Sequence, residues 1–172
     1  MDDKMLRDLF NRIGNKDKNA FTILYNEFKV PVFTVIFRIV NSKEVAEDIT
    51  QDVFVKLFAS PPDLSVKKLR AWIFTASRNS AIDYLRKNKV LHNEEIALSA
   101  HNVENEVLNR LDIEQAFQTL DTTEREIVTL HLNAGLNFKE IASITQLSLP
   151  STYRRYKKAL NKLKVILSGG VL

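Results

Sequence analysis

Three closely spaced signals for the start of a helix limit the folds open to the last third of this sequence. Asp121 and Asn137 are each followed, three residues later, by a glutamate, which is the spacing of a capping box. Ser148 supplies a third cap, and the proline two positions after it falls in the first turn of a helix, where a missing N–H costs little. With Gly135 as a stop after the first of these helices, the pattern predicts three consecutive helices over about 121–164.

The last of the three predicted helices, within 147–164, is amphipathic and strongly basic. The stretch contains six lysines and arginines and no acidic residue. Its inner face is predicted to consist of Leu149, Thr152, Tyr156, Leu160 and Leu163. Spacings of three and four residues predict an opposite face made of Ser151, Arg154, Arg155, Lys158 and Lys162.

The last two helices together predict a helix-turn-helix. The second helix of such a motif enters the major groove, where its N-terminal residues reach base edges and later lysines meet phosphates. For a single basic helix considered alone, the ordinary interpretation is that the charged face is exposed to solvent and binds no partner. The capped helix and the short turn that precede this one, together with its lack of acidic residues, favour duplex DNA as the partner.

Composition extends the helical prediction to the whole chain. Only four glycines and four prolines occur in 172 residues, so we expect a nearly all-α protein. The absence of cysteine excludes a disulfide scaffold and thiolate metal sites, and it suits a reducing compartment such as the cytoplasm. The N-terminal sequence MDDKMLRDLF does not resemble a signal peptide, and the longest apolar run, VPVFTVIF, is far too short to span a bilayer.

Charge divides the chain into three parts. Residues 1–91 carry 16 basic and 11 acidic side chains, residues 92–111 carry one and four, and residues 112–172 carry eight and six. The middle part is polar and has no sustained helical periodicity at its start, so it is predicted to be a linker. We therefore expect two small helical domains, 1–91 and 112–172, with the helix-turn-helix in the second.

Four helices are predicted in the first domain. They run from Lys18 to about Phe28, from about Pro31 to Val40, from a cap at Asn41 or Ser42 to about Phe58, and over LRAWIFTASRNSAIDYLRKNK. The third helix is predicted to bury Val45, Ile49, Val53, Leu57 and Phe58. Paired prolines in ASPPDLSVKK mark a loop before the fourth helix.

A stripe of acidic and amide side chains follows the third helix opposite its apolar side. It consists of Glu44, Glu47, Asp48, Gln51 and Asp52, at positions i, i+3, i+4, i+7 and i+8. On spacing alone, an ordinary exposed helix face is the better interpretation. The functional interpretation is a docking surface for a basic protein partner, because complementary charge sets the orientation and the rate of association.

The fourth helix carries a mixed polar face. Asn79, Asp83, Arg86 and Lys87 share this face by their spacing. A local salt bridge between Asp83 and Arg86 or Lys87 is the structural interpretation. The functional interpretation is contact with nucleic acid, since Asn and Arg can read bases and the preceding loop can hold an unstacked base.

Two segments of the sequence resemble one known family. AEDITQDVFVKLF followed by LRAWIFTASRNSAIDYLRKNK resembles the first conserved domain of bacterial RNA polymerase sigma factors of the extracytoplasmic-function group. LDTTEREIVTLHLNAGLNFKEIASITQLSLPSTYRRYKKALNKLK resembles their second conserved domain, the promoter-reading helix-turn-helix. The resemblance covers about 18–90 and 112–166. It departs from the family at 150–153, where a small residue, Thr, Val and Lys are common and this chain has Pro, Ser, Thr and Tyr.

The resemblance implies three sets of contacts. Glu47, Asp48, Gln51 and Asp52 would bind the β′ clamp of core RNA polymerase. Arg78, Asn79, Asp83, Arg86 and Lys87, with the loop 59–67, would capture the minus-ten element of promoter DNA. Ser151, Thr152, Arg154, Arg155 and Lys158 would read the minus-thirty-five element.

The resemblance also implies further partners, and other functions compete with the one it implies. The resemblance implies contact with the polymerase β flap and inhibition by an anti-sigma factor, and it implies no cofactor, metal, small-molecule substrate or catalytic residue. An enzyme is poorly supported, because the three histidines are scattered and no glycine-rich loop is present to cradle phosphate. The alternatives are a stand-alone helix-turn-helix regulator that binds duplex DNA as a dimer, and a helical adaptor or anti-sigma antagonist that binds protein alone.

Overall fold

The computed structural model describes residues 1–62, 69–92, 113 and 115–168. Within these residues every regular element is a helix, which confirms the all-α prediction. The helices with defined bounds in this part are α1 (Asp3–Gly14), α2 (Lys18–Val40), α3 (Lys43–Ala59), α4 (Leu69–His92), α5 (Thr122–Leu132), α6 (Phe138–Thr145) and α7 (Leu149–Leu167). Residues 115–118 are also helical. No helix in the described part is both long enough and apolar enough to cross a membrane.

The chain divides into two compact units, Met1–Leu98 and Ser99–Leu172. Their boundary falls inside the predicted linker, 92–111. Apart from the last residue of α4, that linker lies outside the described residues. The loop predicted to help capture the minus-ten element also lies outside them from residue 63 onward.

The helix α1 is one that the sequence patterns did not predict. Asp2 caps it by accepting a hydrogen bond from the N–H of Met5 at 2.7 Å. Its buried side chains follow the helical spacing i, i+3, i+4 and i+7, and they are Leu6, Leu9, Phe10 and Ile13. Charged residues between them complete an amphipathic pattern, so the sequence carried a signal for this helix that was passed over, and packing against α2 and α4 supplies the stability that a short isolated helix lacks.

The helix α2 is continuous for 23 residues, although two shorter helices were predicted. Pro31 lies inside it, where its missing N–H removes one main-chain hydrogen bond. The buried stripe continues on both sides of this proline, through Ala20, Leu24, Phe28, Val32, Val35 and Ile36. The predicted break was wrong because burial of that stripe against α1, α3 and α4 outweighs the local defect.

The helix α3 is rotated slightly from the predicted orientation. Ser42, the second of the two candidate caps, accepts a hydrogen bond from the N–H of Val45 at 3.4 Å. The buried residues are Ala46, Ile49, Thr50, Val53, Phe54 and Leu57. Phe54 is 2% exposed and meets the ring of Tyr25 edge-on at 4.9 Å, whereas Phe58 is only half-buried. Ile49, Val53 and Leu57 are buried as predicted, and the small rotation brings Phe54 against an aromatic ring of α2.

Both capping boxes predicted in the C-terminal unit are present. The N–H of Glu124 donates to Asp121 Oδ1 at 2.7 Å, and the N–H of Asp121 donates to Glu124 Oε2 at 3.2 Å. Asn137 and Glu140 exchange the same pair of bonds at 3.1 and 3.0 Å. Gly135, with φ at 66°, follows the end of α5 and permits the turn into α6.

A tight turn joins α6 to α7 and confirms the predicted helix-turn-helix. Gln146 adopts a left-handed conformation, with φ at 57°, and ends α6. Ser148 caps α7 by accepting a hydrogen bond from the N–H of Ser151 at 3.3 Å, and Pro150 lies in the first turn as predicted. The core cluster beneath α7 consists of Ala116, Leu120, Val128, Ala159 and Leu163.

Candidate docking and nucleic-acid surfaces

The predicted acidic stripe forms one exposed face of α3, which we call the acidic face. All of its members, Glu44, Glu47, Asp48, Gln51 and Asp52, are exposed. Lys43 Nζ lies 4.0 Å from Glu47 Oε1, and both side chains are more than half exposed, so this ion pair contributes little to stability. Ile49, Val53 and Leu57 hold the opposite side of the helix in the core. The carboxylates are thus displayed by the fold without being needed for it.

An apolar groove between α2 and α3 adjoins the acidic face. Its lining consists of Phe21, Tyr25, Lys29, Val30, Phe33, Glu47, Thr50, Gln51, Phe54 and Val55. Val30 and Val55 are 63% and 58% exposed, so apolar surface stands open beside the carboxylates. The sequence analysis did not predict this groove. Periodicity shows which residues share a face of one helix, whereas the groove is formed by side chains of two helices. The combination suits an amphipathic helix with a basic face.

The polar face of α4 is also displayed to solvent. Asn79, Asp83, Arg86 and Lys87 are exposed, while Arg78 is half-buried. Arg86 Nη2 lies 3.1 Å from Asp83 Oδ1, which confirms one of the two salt bridges considered for Asp83. The side chains of Arg86 and Asp83 are 74% and 54% exposed, so the pair is easily exchanged for another partner. The opposite side of α4 is anchored by Ile73, Phe74, Ser77 and Ala81.

The helix α7 is rotated slightly from the predicted orientation, since Thr152 and Leu163 of the predicted inner face are buried together with Ala159. Thr152, Ala159 and Leu163 are its least exposed residues, at 0%, 0% and 7%. Thr152 also donates its hydroxyl hydrogen to the carbonyl of Ser148 at 3.0 Å. This corrects the prediction that Thr152 contacts DNA, since its side chain has no exposed surface to offer. Leu149, predicted to face inward, is instead 40% exposed.

Three of the predicted DNA-facing cations of α7 turn towards acidic residues at the start of α5. Arg155 Nη1 lies 3.6 Å from Asp121 Oδ2. The Nζ atoms of Lys158 and Lys162 lie 3.5 and 2.6 Å from the two carboxylate oxygens of Glu124, whose side chain is fully buried. We call Glu124 with these two lysines the carboxylate clamp. The face predicted to meet DNA is therefore partly engaged within the protein.

The carboxylate of Glu124 serves two helices at once, as the cap of α5 and the partner of α7. Burial by itself raises the pKa of this carboxyl. The hydrogen bonds from Lys162 and from the N–H of Asp121 favour the charged form more strongly, so the pKa of Glu124 is lowered overall. Sequence reasoning found the cap but missed the clamp, because the two lysines lie more than thirty residues away along the chain.

The outer edge of α7 carries two side chains that sequence reasoning did not select, Tyr153 and Lys157. Both are exposed, as is Arg154 between them. The ring of Tyr153 packs edge-on against the ring of Phe138, with the ring centres 5.4 Å apart. Lys157 Nζ lies 5.7 Å from the centre of the Tyr153 ring. Of the predicted minus-thirty-five set, Ser151 is half-buried and Arg154 points outward. Ala159 is the centre of the buried side of α7. Tyr153, Arg154 and Lys157 lie on the opposite side by helical spacing, so a helical projection centred on Ala159 identifies them as the outer edge.

Comparison with known families matches both units separately. Residues 24–90 match the family model for Sigma-70 region 2. Residues 110–163 match the model for Sigma-70, region 4. The first match contains the acidic face and the polar face of α4, and the second contains the helix-turn-helix.

Three sigma factors are similar to this chain over most of its length and of their own. The chain is 24% identical over 155 residues to the ECF RNA polymerase sigma factor SigM of Bacillus subtilis, covering 86% of this chain and 95% of SigM. It is 29% identical over 154 residues to the RNA polymerase sigma factor SigZ of the same organism, covering 85% of this chain and 86% of SigZ. It is 23% identical over 168 residues to the ECF RNA polymerase sigma factor SigK of Mycobacterium tuberculosis, covering 91% and 90%.

Solved structures share the fold. CnrH, in complex with the cytosolic domain of CnrY, superposes with a TM-score of 0.68 at 22% identity, over 96% of this chain and 98% of CnrH. The sigma factor RpoE of Bartonella quintana, in complex with the anti-sigma factor NepR, gives a TM-score of 0.69 at 22% identity, over 86% and 96%. With both conserved regions matched and full-length relatives of one kind, this chain belongs to the extracytoplasmic-function group of the sigma-70 family, the sigma factors that direct transcription by RNA polymerase.

Proposed function

We propose that the protein binds core RNA polymerase through the acidic face of α3 and guides it to promoters through α4 and α7. The observation that carries this proposal is the exposure of Glu47, Asp48, Gln51 and Asp52 on one side of α3, within the region 2 match. These are the residues that the family resemblance assigns to the β′ clamp. An exposed row of carboxylates attracts and orients a basic partner.

The groove beside the acidic face supports a helical partner at this site. A partner helix with basic and apolar sides can place its cations against Glu47 and Asp48 and its apolar side chains against Val30 and Val55. Burying the two valines adds affinity that charge alone does not supply, because exposed ion pairs are screened by salt. The β′ clamp of core polymerase is the partner we propose.

The polar face of α4 is proposed to hold the minus-ten element. Asn79, Asp83, Arg86 and Lys87 are all open to solvent, and the half-buried Arg78 borders them. Because the pair of Arg86 with Asp83 is exposed, Arg86 can move to a phosphate or a base at little cost. Asn79, Arg86 and Lys87 together suit a strand whose bases are splayed out of the helix.

The helix α7 is proposed to read the minus-thirty-five element in the major groove. Ser151, Arg154, Arg155 and Lys158 remain candidates for this contact, with Thr152 removed by its burial. We further propose that the C-terminal unit meets the β flap of the polymerase, so that α7 is carried to the correct distance from α4.

An anti-sigma factor is the proposed regulatory partner. The Bartonella quintana sigma factor that shares this fold was solved in complex with an anti-sigma factor. A protein that covers the acidic face and the groove would block access to polymerase. We propose that the protein acts in the cytoplasm, takes no cofactor or small-molecule substrate, and performs no catalysis of its own.

Run-off transcription with purified core polymerase tests the proposal. Asp48→Arg places a cation in the acidic face, and we expect core affinity and promoter-specific transcript to fall at least tenfold, because like charges across an interface are repulsive. Asp3→Arg, which reverses an exposed charge on α1, is the matched control and should leave both unchanged. Equal core affinity in wild type and Asp48→Arg would contradict the docking assignment. Tight binding of the free protein to a symmetric duplex, without polymerase, would instead favour a stand-alone regulator.

A further inference from the structure

The outer edge of α7 has the chemistry to distinguish one base pair from another. We infer that Tyr153 is a specificity-determining residue, whose ring contacts the methyl group of a thymine in the major groove of the minus-thirty-five element. This inference rests on the proposed function that α7 enters promoter DNA. It goes further by assigning one side chain to one kind of base.

The rotation of α7 places Tyr153 on the side that enters a groove. A helix turns by about 100° per residue, so Lys157 lies roughly 160° from the buried Ala159, and Arg154 and Tyr153 lie roughly 140° and 120° from it. Lys162, in the carboxylate clamp, lies only about 60° from Ala159. A recognition helix presents to DNA the side turned away from its own domain. That side contains Tyr153, which is outside the set of residues that the family resemblance implies for the minus-thirty-five element.

The cations on the opposite flank are engaged by the protein itself. Lys162 Nζ lies 2.6 Å from Glu124, whose side chain is fully buried. If this lysine moved to a DNA phosphate, the buried carboxylate of Glu124 would lose its nearest cation, and a buried charge without its partner is strongly unfavourable. Arg154 and Lys157 form no ion pair with any residue in the described part of the chain. Arg154 and Lys157, the cations of the outer edge, can therefore contact DNA without breaking an ion pair within the described part of the protein.

Tyr153 is exposed and yet held in place. Its side chain is 47% exposed, and its ring packs edge-on against Phe138 with the ring centres 5.4 Å apart. It lies within the first two turns of α7, which is the part of a recognition helix that reaches base edges. A large side chain that is already ordered loses little conformational entropy on binding, so its contact is both strong and selective.

The chemistry of an aromatic ring selects thymine among the bases. Thymine alone presents a methyl group in the major groove, and apolar side chains contact it there. Arg154 beside the ring can donate two hydrogen bonds to a neighbouring guanine, and Lys157 can contact a phosphate. The ring therefore discriminates by the methyl group, and the cations add affinity around it.

Replacing thymine by uracil in the template removes only this methyl group and provides the test. A promoter is first identified by run-off transcription from a genomic library with polymerase carrying the wild-type protein. Each thymine of its minus-thirty-five element is then replaced by uracil. We expect the wild type to favour thymine at one position by about fourfold, the value of one buried methyl group. Tyr153→Phe should keep this ratio, and Tyr153→Ala should reduce it to about one.

Lys157→Ala is the matched control on the same edge. It should lower transcription from the thymine and uracil templates equally and leave their ratio unchanged, because a phosphate contact carries no base information. A thymine preference that persists in Tyr153→Ala, or a wild type indifferent to uracil at every position, would overturn the inference while leaving the proposed function intact. Failure of the wild type to initiate at any promoter is a different result, which overturns the proposed function and the inference with it.

Discussion

The two units of this protein use their charged residues in different ways. In the N-terminal unit, aromatic and aliphatic side chains such as Phe28, Phe54 and Phe74 form the core, and the acidic face of α3 stands outside it. In the C-terminal unit, the carboxylate of Glu124 is itself buried and forms ion pairs with Lys158 and Lys162 of α7. The exposed carboxylates therefore stand apart from the core in the first unit, whereas a buried carboxylate and two lysines of α7 contribute to the fold of the second.

Truncation of the carboxylate clamp should have the largest effect on stability. Glu124→Ala removes the second half of a capping box and leaves Lys158 and Lys162 without their partner, so we expect the C-terminal unit to lose about 3 kcal/mol. In denaturant unfolding followed by far-UV circular dichroism, the part of the helical signal that comes from the C-terminal unit should be lost at a lower denaturant concentration than in wild type. The single tryptophan, Trp72, lies in the N-terminal unit, and its fluorescence midpoint should stay at the wild-type value. A wild-type dichroism curve for this variant would remove the clamp as a source of stability.

Acid should weaken the same unit through the same carboxylate. The folded pKa of Glu124 lies below its ordinary value of 4.5, because the hydrogen bonds from Lys162 and Asp121 outweigh the opposing effect of burial. The ionised clamp thus contributes stability that is fully present above the unfolded pKa and is lost as pH falls through the folded pKa. As the pH falls below about 4.5, we expect the dichroism midpoint to fall more in wild type than in Glu124→Gln. Parallel pH profiles would show that Glu124 does not govern acid unfolding.

Loss of a helix cap in the N-terminal unit should have a smaller effect. Ser42→Ala removes the side-chain bond to the N–H of Val45, which is long at 3.4 Å, and we expect a loss of about 0.5–1 kcal/mol. This change should shift the Trp72 fluorescence midpoint, in contrast to the clamp variant. Ser42→Asp, which retains an N-cap acceptor, is the matched control and should stay near wild type.

Truncation within the acidic face should leave stability almost unchanged. Asp48→Ala removes an exposed carboxylate from α3, and the change in unfolding free energy should stay within about 0.5 kcal/mol. Binding to core polymerase should nevertheless weaken, which a titration of labelled protein with core enzyme would measure. A large loss of stability in this variant would show that the N-terminal unit, like the C-terminal one, builds its fold on functional charges.

Sequence reasoning succeeded where the physics is local. The capping boxes at Asp121 and Asn137 join residues three positions apart, so the sequence alone predicts their hydrogen bonds. It failed at Pro31, because whether a helix continues through a proline depends on the side chains that pack around it. It also passed over α1, although the cap at Asp2 and the apolar residues at helical spacing are local signals present in the sequence.

The sequence by itself determined the helical class, the caps, the helix-turn-helix and the row of carboxylates on α3, since each depends on residues within a few turns of one another. Only the tertiary structure decided the rotation of α7 and the engagement of its lysines. Glu124 and Lys162 are 38 positions apart, and periodicity within one helix carries no information about a partner at that separation. The physical reason is that periodicity shows which residues share a face of one helix, whereas packing against neighbouring helices decides how far that face is turned inward.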